Sequence, residues 1–244
     1  MSSNLVSLLM PTYNAGKYLA SAIESVQAQT HENWELIIVD DCSTDNTWGT
    51  ARNFAEYDPR IKVFRNSTTL GIPKNRKRTY EVSTGAYVAH FDQDDLLERW
   101  AIEEMLREFA RTKVSMLYSD RLHIDENGVF MNYAAEKAFD RDKLHLYGHK
   151  HFCMFRRDVM KFIAGYNDKL VSACEDTDIF TQIAEQFPTA HLAKVLYAHR
   201  SHATNAQKLG HVKKCETCTE RAVCNYIRVW GAANSRNPIT MEPL

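Results

Sequence analysis

No apolar run in the 244 residues approaches the roughly 20 that a membrane-spanning helix needs. The start, Met1-Ser2-Ser3-Asn4, lacks the basic and apolar stretches of a secretory leader. Charge of one sign is also lacking. Thirty Lys and Arg stand against 31 Asp and Glu, a net charge of −1, so no bulk attraction to nucleic acid or anionic membrane is expected. No low-complexity segment or internal repeat is present. With no leader, the six cysteines read as reduced thiols and the expected location is cytoplasmic. Peripheral association with a membrane enzyme complex stays open, though no stretch points to it.

What remains is ordinary for a globular protein: 44% hydrophobic and 25% charged residues, in a length that suits one large domain. Val6–Met10 reads as a strand stopped at Pro11, and Pro11–Gly16 as a loop. Tyr18, Leu19, Ala22, Ile23 and Val26 recur at helical spacing. A second strand, Glu35–Asp40, precedes a capping-rich stretch, Ser43–Thr47, that should open a helix to about Glu56. Ile61–Phe64 is a third strand, and Gly71-Ile72-Pro73 begins a basic helix. The fourth strand, Ala86–Phe91, runs straight into Asp92, Asp94 and Asp95. Alternating strands and helices imply a mostly parallel, Rossmann-like sheet of α/β class. Ligands in such sheets bind beyond the strands' carboxyl ends. Two neighbouring strands ending in acids, at Asp40-Asp41 and Asp92–Asp95, suggest one shared site there. Three acids in four residues repel unless a cation sits among them, and oxygen ligands suit Mn²⁺ or Mg²⁺. The competing reading is a solvated acidic turn that caps the next helix.

The second half is less regular and reads as a small antiparallel addition. Arg99–Phe109 is an amphipathic helix, Val114–Ser119 a strand, and Asp125–Gly128 a hairpin turn by its Asn-Gly. Cys174–Asp178 leads into a helix with Ile179, Phe180 and Ile183. Leu196–His202 reads as a last strand, followed by a helix from about Gly210 to Trp230 and a polar tail from Asn234. His211, Cys215, Cys218 and Cys224 are zinc-ligand types around a C-x-x-C pair. Their spacing departs from a zinc knuckle and their segment reads as continuous helix, so structural zinc is the minor reading. Trp48, Trp100 and Trp230 read as packing residues, and Trp34 is uninformative.

Four blocks then stand in order: Val6–Asn14, Val39–Asp45, Asp92–Asp95 and Glu175-Asp176. Together they resemble the inverting family 2 glycosyltransferases of the GT-A fold, over roughly residues 5–210. His151–Phe155, Asp176–Phe180 and His202 with Asn205–Gly210 look like the glucuronosyl-transferring module of bacterial hyaluronan and chondroitin polymerases. The resemblance implies a single domain over 1–244, with a nucleotide-binding half (about 5–110), an acceptor-binding half (about 111–233) and the tail 234–244.

It also implies a UDP-sugar donor and a carbohydrate acceptor. Asp41 would accept the uracil N3–H, Tyr13 would stack on the base and Pro11 would offer backbone contacts. Without the resemblance, Asp41 reads as a helix-start carboxylate beside Ser43, and Tyr13 as a loop aromatic. Asp94 and His202 would hold the Mn²⁺ or Mg²⁺. Asp92 would lie nearer the ribose, with Gln93 grouped among the nucleotide-binding residues, and Asp95 would cap the next helix. Lys74 or Arg76 would pair with the diphosphate; the alternative is a solvated basic helix face. Lys77 departs from the family's usual asparagine. Asp176 would be the base, with Asp178 its rival. His149, His151, Phe152 and Arg156 are acceptor-binding candidates. UDP-glucuronate, UDP-N-acetylhexosamine and UDP-glucose remain open as donors. A nucleotidyltransferase would normally show a Gly-rich phosphate loop, which Thr12–Gly16 is not. A catalytically inactive nucleotide-sugar or glycan-binding module of transferase descent is the other alternative.

Overall fold

In the computed structural model, which describes residues 4–136, 151–167 and 175–203, β1 (Val6–Thr12) is the central strand of the first half. It pairs in parallel with β2 (Trp34–Asp40) on one side and with β4 (Tyr87–His90) on the other; β3 (Ile61–Arg65) flanks β2. Burial along all of β2 and β4 explains why both read as continuous apolar runs. Alternate residues serve opposite faces. Val6, Leu8, Leu36 and Ile38 pack with α1 (Leu19–Gln27), whereas Leu9, Ile37, Val39 and Val88 face the core that includes Ile179 and Ile183. α2 (Thr47–Tyr57) and α3 (Ile72–Glu81) complete the crossovers.

The two acid-ending strands are not neighbours. β1 lies between β2 and β4, so its own end, Thr12-Tyr13, separates Asp40-Asp41 from Asp92–Asp95. The order β3-β2-β1-β4 reverses direction at β1, and a crevice at such a switch point is where ligands bind. Pairing of β1 with β4 stops at Leu9, while pairing with β2 continues to Thr12. Pro11 therefore sits where one side of β1 is already unpaired, a place that tolerates a missing N–H.

The remaining elements are β5 (Leu96–Leu97), α4 (Ala101–Thr112), β6 (Met116–Ile124), β7 (Phe130–Ala134), β8 (Cys153–Arg156), α5 (Glu175–Gln186) and β9 (Thr189–Arg200). They extend the same sheet in the order β4-β8-β6-β9-β5, with β7 on β6. The antiparallel pairs β4–β8, β6–β8, β5–β9 and β6–β7 join it without a break. The Asp125–Gly128 turn closes the β6–β7 hairpin as expected, with Gly128 at φ 86°. β9 begins at Thr189 rather than Leu196, because it runs beside β6 as well as β5. Trp100 is half exposed before α4 and is no packing residue, whereas Trp34 is buried under the Arg60 guanidinium, 3.8 Å from its ring. The zinc candidates, Lys208-Leu209-Gly210, His149 and Trp230 lie outside the described residues. Among the described residues no helix is long and apolar enough to cross a membrane.

Candidate functional site at the sheet's carboxyl edge

The loops after β1, β2 and β4 are tied together by side chains. Gln93 accepts the Tyr13 N–H at 2.7 Å and donates to the Tyr13 carbonyl at 3.2 Å, so the backbone of Tyr13 is pinned while its ring stays 46% exposed. Asn14, in the left-handed region at φ 48°, receives Thr44 N–H at 2.9 Å and donates its own N–H to Ser43 at 2.9 Å. Asp40, not Asp41, is the carboxylate that meets the Ser43 N–H, at 3.3 Å. Cys42 then adopts φ 64°, a costly backbone for a residue with a Cβ. Asp41 faces the loop before α3. Its Oδ1 accepts Leu70 N–H at 2.8 Å and the Asn66 amide at 2.6 Å, and its Oδ2 accepts Gly71 N–H at 2.8 Å. A carboxylate has about four lone-pair positions, so one acceptor position remains.

Arg76 overturns the reading of α3 as a solvated basic face. It is buried; its Nη2 donates to Asp92 at 2.7 Å, its Nε to Glu175 at 3.3 Å and its Nη1 to the Leu9 carbonyl at 3.3 Å. Each of its three nitrogens thus donates to the protein. Lys74, on the first turn of the same helix, is exposed. Asn75 is buried and bridges Asn66 and the Val39 carbonyl, although Lys77 stands where the resemblance expected an asparagine.

The acids after β4 take separate partners. Against the cost of burial, Arg76 holds the Asp92 carboxyl below the usual carboxylate value. Asp94 Oδ2 lies 2.7 Å from His202 Nε2, and the His202 ring packs on Tyr18 with centroids 4.6 Å apart. Asp95 does not cap a helix. It accepts Tyr197 O–H at 2.6 Å and Arg200 N–H at 2.7 Å from β9. Burial, then Asp94 and Asp92, push the Asp95 carboxyl well above its ordinary value. Just before Asp92, His90 is buried and bonded to Tyr166 at 2.6 Å; burial and then Arg76 hold it near 3, so it is a neutral core residue.

These groups fit a divalent cation. Cis ligands on an octahedral ion with bonds of about 2.1 Å lie about 3 Å apart. The Asp94–His202 separation of 2.7 Å is close to that. Asp92, Asp95 and His151 also bring ligand atoms within 4.8 Å of one another. The like charges of Asp94 and Asp92, which with burial raise the Asp95 carboxyl, are what a cation would offset.

α5 brings the last acids. Asp176, half buried in its first turn, accepts its neighbour Thr177's N–H at 2.6 Å. Its charge acts on Arg76, Asp92 and His90, which places it with the acids after β4. Asp178 is buried and takes a hydrogen bond from Gln182 at 3.0 Å. Glu175 is buried with Oε2 unpartnered. Burial and then Asp176 raise it to about 7, despite Arg76.

Two acceptor-binding candidates are displaced. Arg156 pairs with Tyr87's register position at the opposite end of β4, and donates to the Val114 and Phe109 carbonyls and to the Tyr87 hydroxyl. Phe152 is fully buried in the core. His151 stays beside the acids. Sequence reasoning missed Tyr18, Asn66, Tyr197 and Arg200. A signal for Tyr197 was its place two residues before His199 in a strand, on the same face.

Known proteins resemble this chain in sequence and fold. The hyaluronan synthase of Pasteurella multocida is 31% identical over 216 residues, covering 86% of this chain and 22% of that protein. The chain spans only a fraction of the length of such relatives: 22% of an uncharacterized Sinorhizobium fredii protein and 32% of the Escherichia coli chondroitin synthase. The fold resembles that of Staphylococcus aureus TarS 1–349 in complex with UDP-GlcNAc, with a TM-score of 0.78 at 19% identity over 93% of this chain and 67% of that one. It also resembles a Pyrobaculum calidifontis mannosyltransferase in complex with GDP-Man and Mn²⁺, with a TM-score of 0.65 at 14% identity over 98% of this chain and 78% of that one. The sequence model of the family described as "Glycosyl transferase family 2" matches residues 7–163. With its GT-A-like sheet and the acids at that sheet's carboxyl edge, the chain belongs to glycosyltransferase family 2.

Proposed function

We propose that this domain moves a sugar from a UDP-sugar to a hydroxyl of a glycan acceptor, with inversion at the anomeric carbon. The supporting observation is the convergence of Asp92, Asp94, His202 and Asp176 on one crevice from three distant parts of the chain. The uracil sits between the exposed Tyr13 ring and Asp41, whose remaining lone pair accepts N3–H. Pro11, Gln93 and Lys74 line the same nucleotide side, and Arg76 acts there through Asp92. Asp94 and His202 are the residues that would hold Mn²⁺ or Mg²⁺. Bound there, the cation supplies positive charge for the diphosphate that leaves.

Inversion is a single displacement. Asp176 takes the proton of the acceptor hydroxyl as its oxygen bonds to the anomeric carbon. The bond from that carbon to the diphosphate oxygen breaks, and UDP departs with the electron pair. No protein acid is needed at the leaving oxygen. Helix α5 presents its N-terminus there, which favours a charged carboxylate in its first turn. The donor sugar is one of glucuronate, N-acetylhexosamine or glucose.

The test is UDP release from a panel of UDP-sugars, with and without Mn²⁺, using oligosaccharide acceptors. Asp176→Asn should lower turnover about 10²–10⁴-fold while UDP binding survives. Near-normal turnover in that variant removes Asp176 as the base. Tight UDP binding by the wild type with no release from any donor favours the inactive binding module.

A further inference from the structure

A row of imidazoles leads away from the acids. The His151 ring stacks on Tyr197, with centroids 5.0 Å apart and planes at 26°. His199 follows at 5.6 Å from His151, and His123 at 5.2 Å from His199. The sheet builds this row. His123 of β6 stands opposite His199 of β9 in their parallel register, and Tyr197 lies two residues before His199 on the same face. Tyr197 itself donates to Asp95, so the row starts at the acid cluster. All three histidines are partly exposed.

Two details limit what the row can bind. The Nδ1 of His199 is enclosed without a partner. Burying a bare lone pair costs less than burying an N–H, so the ring proton of His199 belongs on Nε2. The guanidinium beside the row is committed to the protein: Arg121 pairs with Glu136 at 2.8 Å and its Nε donates to His123 Nε2 at 3.5 Å. Aromatic faces, ring nitrogens and an engaged guanidinium suit hydroxyl-rich rings rather than carboxylates.

We propose that His151, His199 and His123 form the floor of the acceptor subsite and take the uncharged end of an oligosaccharide through their ring faces, edges and nitrogens. This rests on the transfer reading above and adds the position and charge class of the acceptor.

Two measurements on the full chain test it. In kinetics at saturating donor, His123→Ala and His199→Gln should raise KM for an uncharged hexose or N-acetylhexosamine oligosaccharide about ten-fold, the loss of about one hydrogen bond or ring contact. The kcat should stay within about three-fold and UDP affinity within about two-fold. In NMR of the wild type, an uncharged oligosaccharide added without donor should shift the ring protons of His123 and His199. An unchanged KM, a loss of UDP affinity equal to the loss for acceptor, or tighter binding of a uronate-ended oligosaccharide would overturn the assignment. If the wild type releases UDP from no donor, the transfer reading fails. The NMR titration still decides the row, and it needs no variant to fold.

Discussion

Replacing Arg76 with methionine removes the charge that joins three parts of the chain while keeping most of the side-chain volume. Arg76 is 5% exposed and holds Asp92 from β4's end, Glu175 from α5 and the Leu9 carbonyl of β1. The consequences differ by partner. Asp92 is 37% exposed and regains water. Glu175 is 3% exposed, already has one unpartnered oxygen, and must keep its proton once Arg76 is gone. Breaking a buried ion pair from one side costs about 3–5 kcal/mol, and because Glu175 can neutralise itself the lower end, about 3 kcal/mol, applies. For a domain of this size each kcal/mol moves Tm by about 2–4 °C, so Arg76→Met should melt about 6–12 °C lower by circular dichroism. The double variant Arg76→Met/Glu175→Gln supplies the control, because it also removes the stranded acid. It should recover about 1–2 kcal/mol, a coupling typical of contacting charges. A melting point within about 2 °C of wild type, or strictly additive single and double variants, would refute the claim that this bridge holds α5 against the sheet.

Other perturbations follow from the same geometry. A Cβ on Gly85 would lie 2.7 Å from the Leu5 carbonyl and 2.8 Å from the Ser7 nitrogen, so Gly85→Ala should cost about 1–3 kcal/mol in urea unfolding; a neutral result would mean that the start of β4 can move from β1. Glu175 binds its proton more tightly folded, at about 7 against an ordinary 4.5, so its contribution lets stability fall as pH rises between those values. Glu175→Gln should flatten that part of the stability–pH curve, and an unchanged slope would assign it to another group. On the proposal that Asp94 and His202 share the cation, His202→Ala should abolish the gain in UDP affinity that Mn²⁺ gives, measured by calorimetry. An undiminished Mn²⁺ effect would move the cation to the Asp92, Asp95 and His151 set.

What could be read from the sequence was what short stretches of chain determine by themselves. Six mostly apolar residues before Asp92 announce a strand end with acids on it, whatever the rest of the chain does, and β4 is there. The Asn-Gly of Asn127-Gly128 likewise dictates its turn. Arg76 shows where this stops. Lys74, Arg76, Lys77 and Arg78 look alike as a basic stretch, yet Arg76 points between β1 and α5, and its burial rests on Asp92, 16 residues on, and Glu175, 99 residues on. Asp95 is the same case: its partners Tyr197 and Arg200 lie more than 100 residues away, and without them a carboxylate after a strand reads as a cap. The site is assembled by such pairings. β1 keeps β2's acids apart from β4's, Gln93 pins Tyr13 from across the crevice, and β9 and the residues just after it deliver Tyr197 and His202. Each is a long loop closure whose entropy is offset by sheet formation elsewhere, so its cause is not local to the residues that meet. A family pattern could name Asp94 and His202 together because it carries the record of that closure; periodicity and charge spacing hold no trace of it.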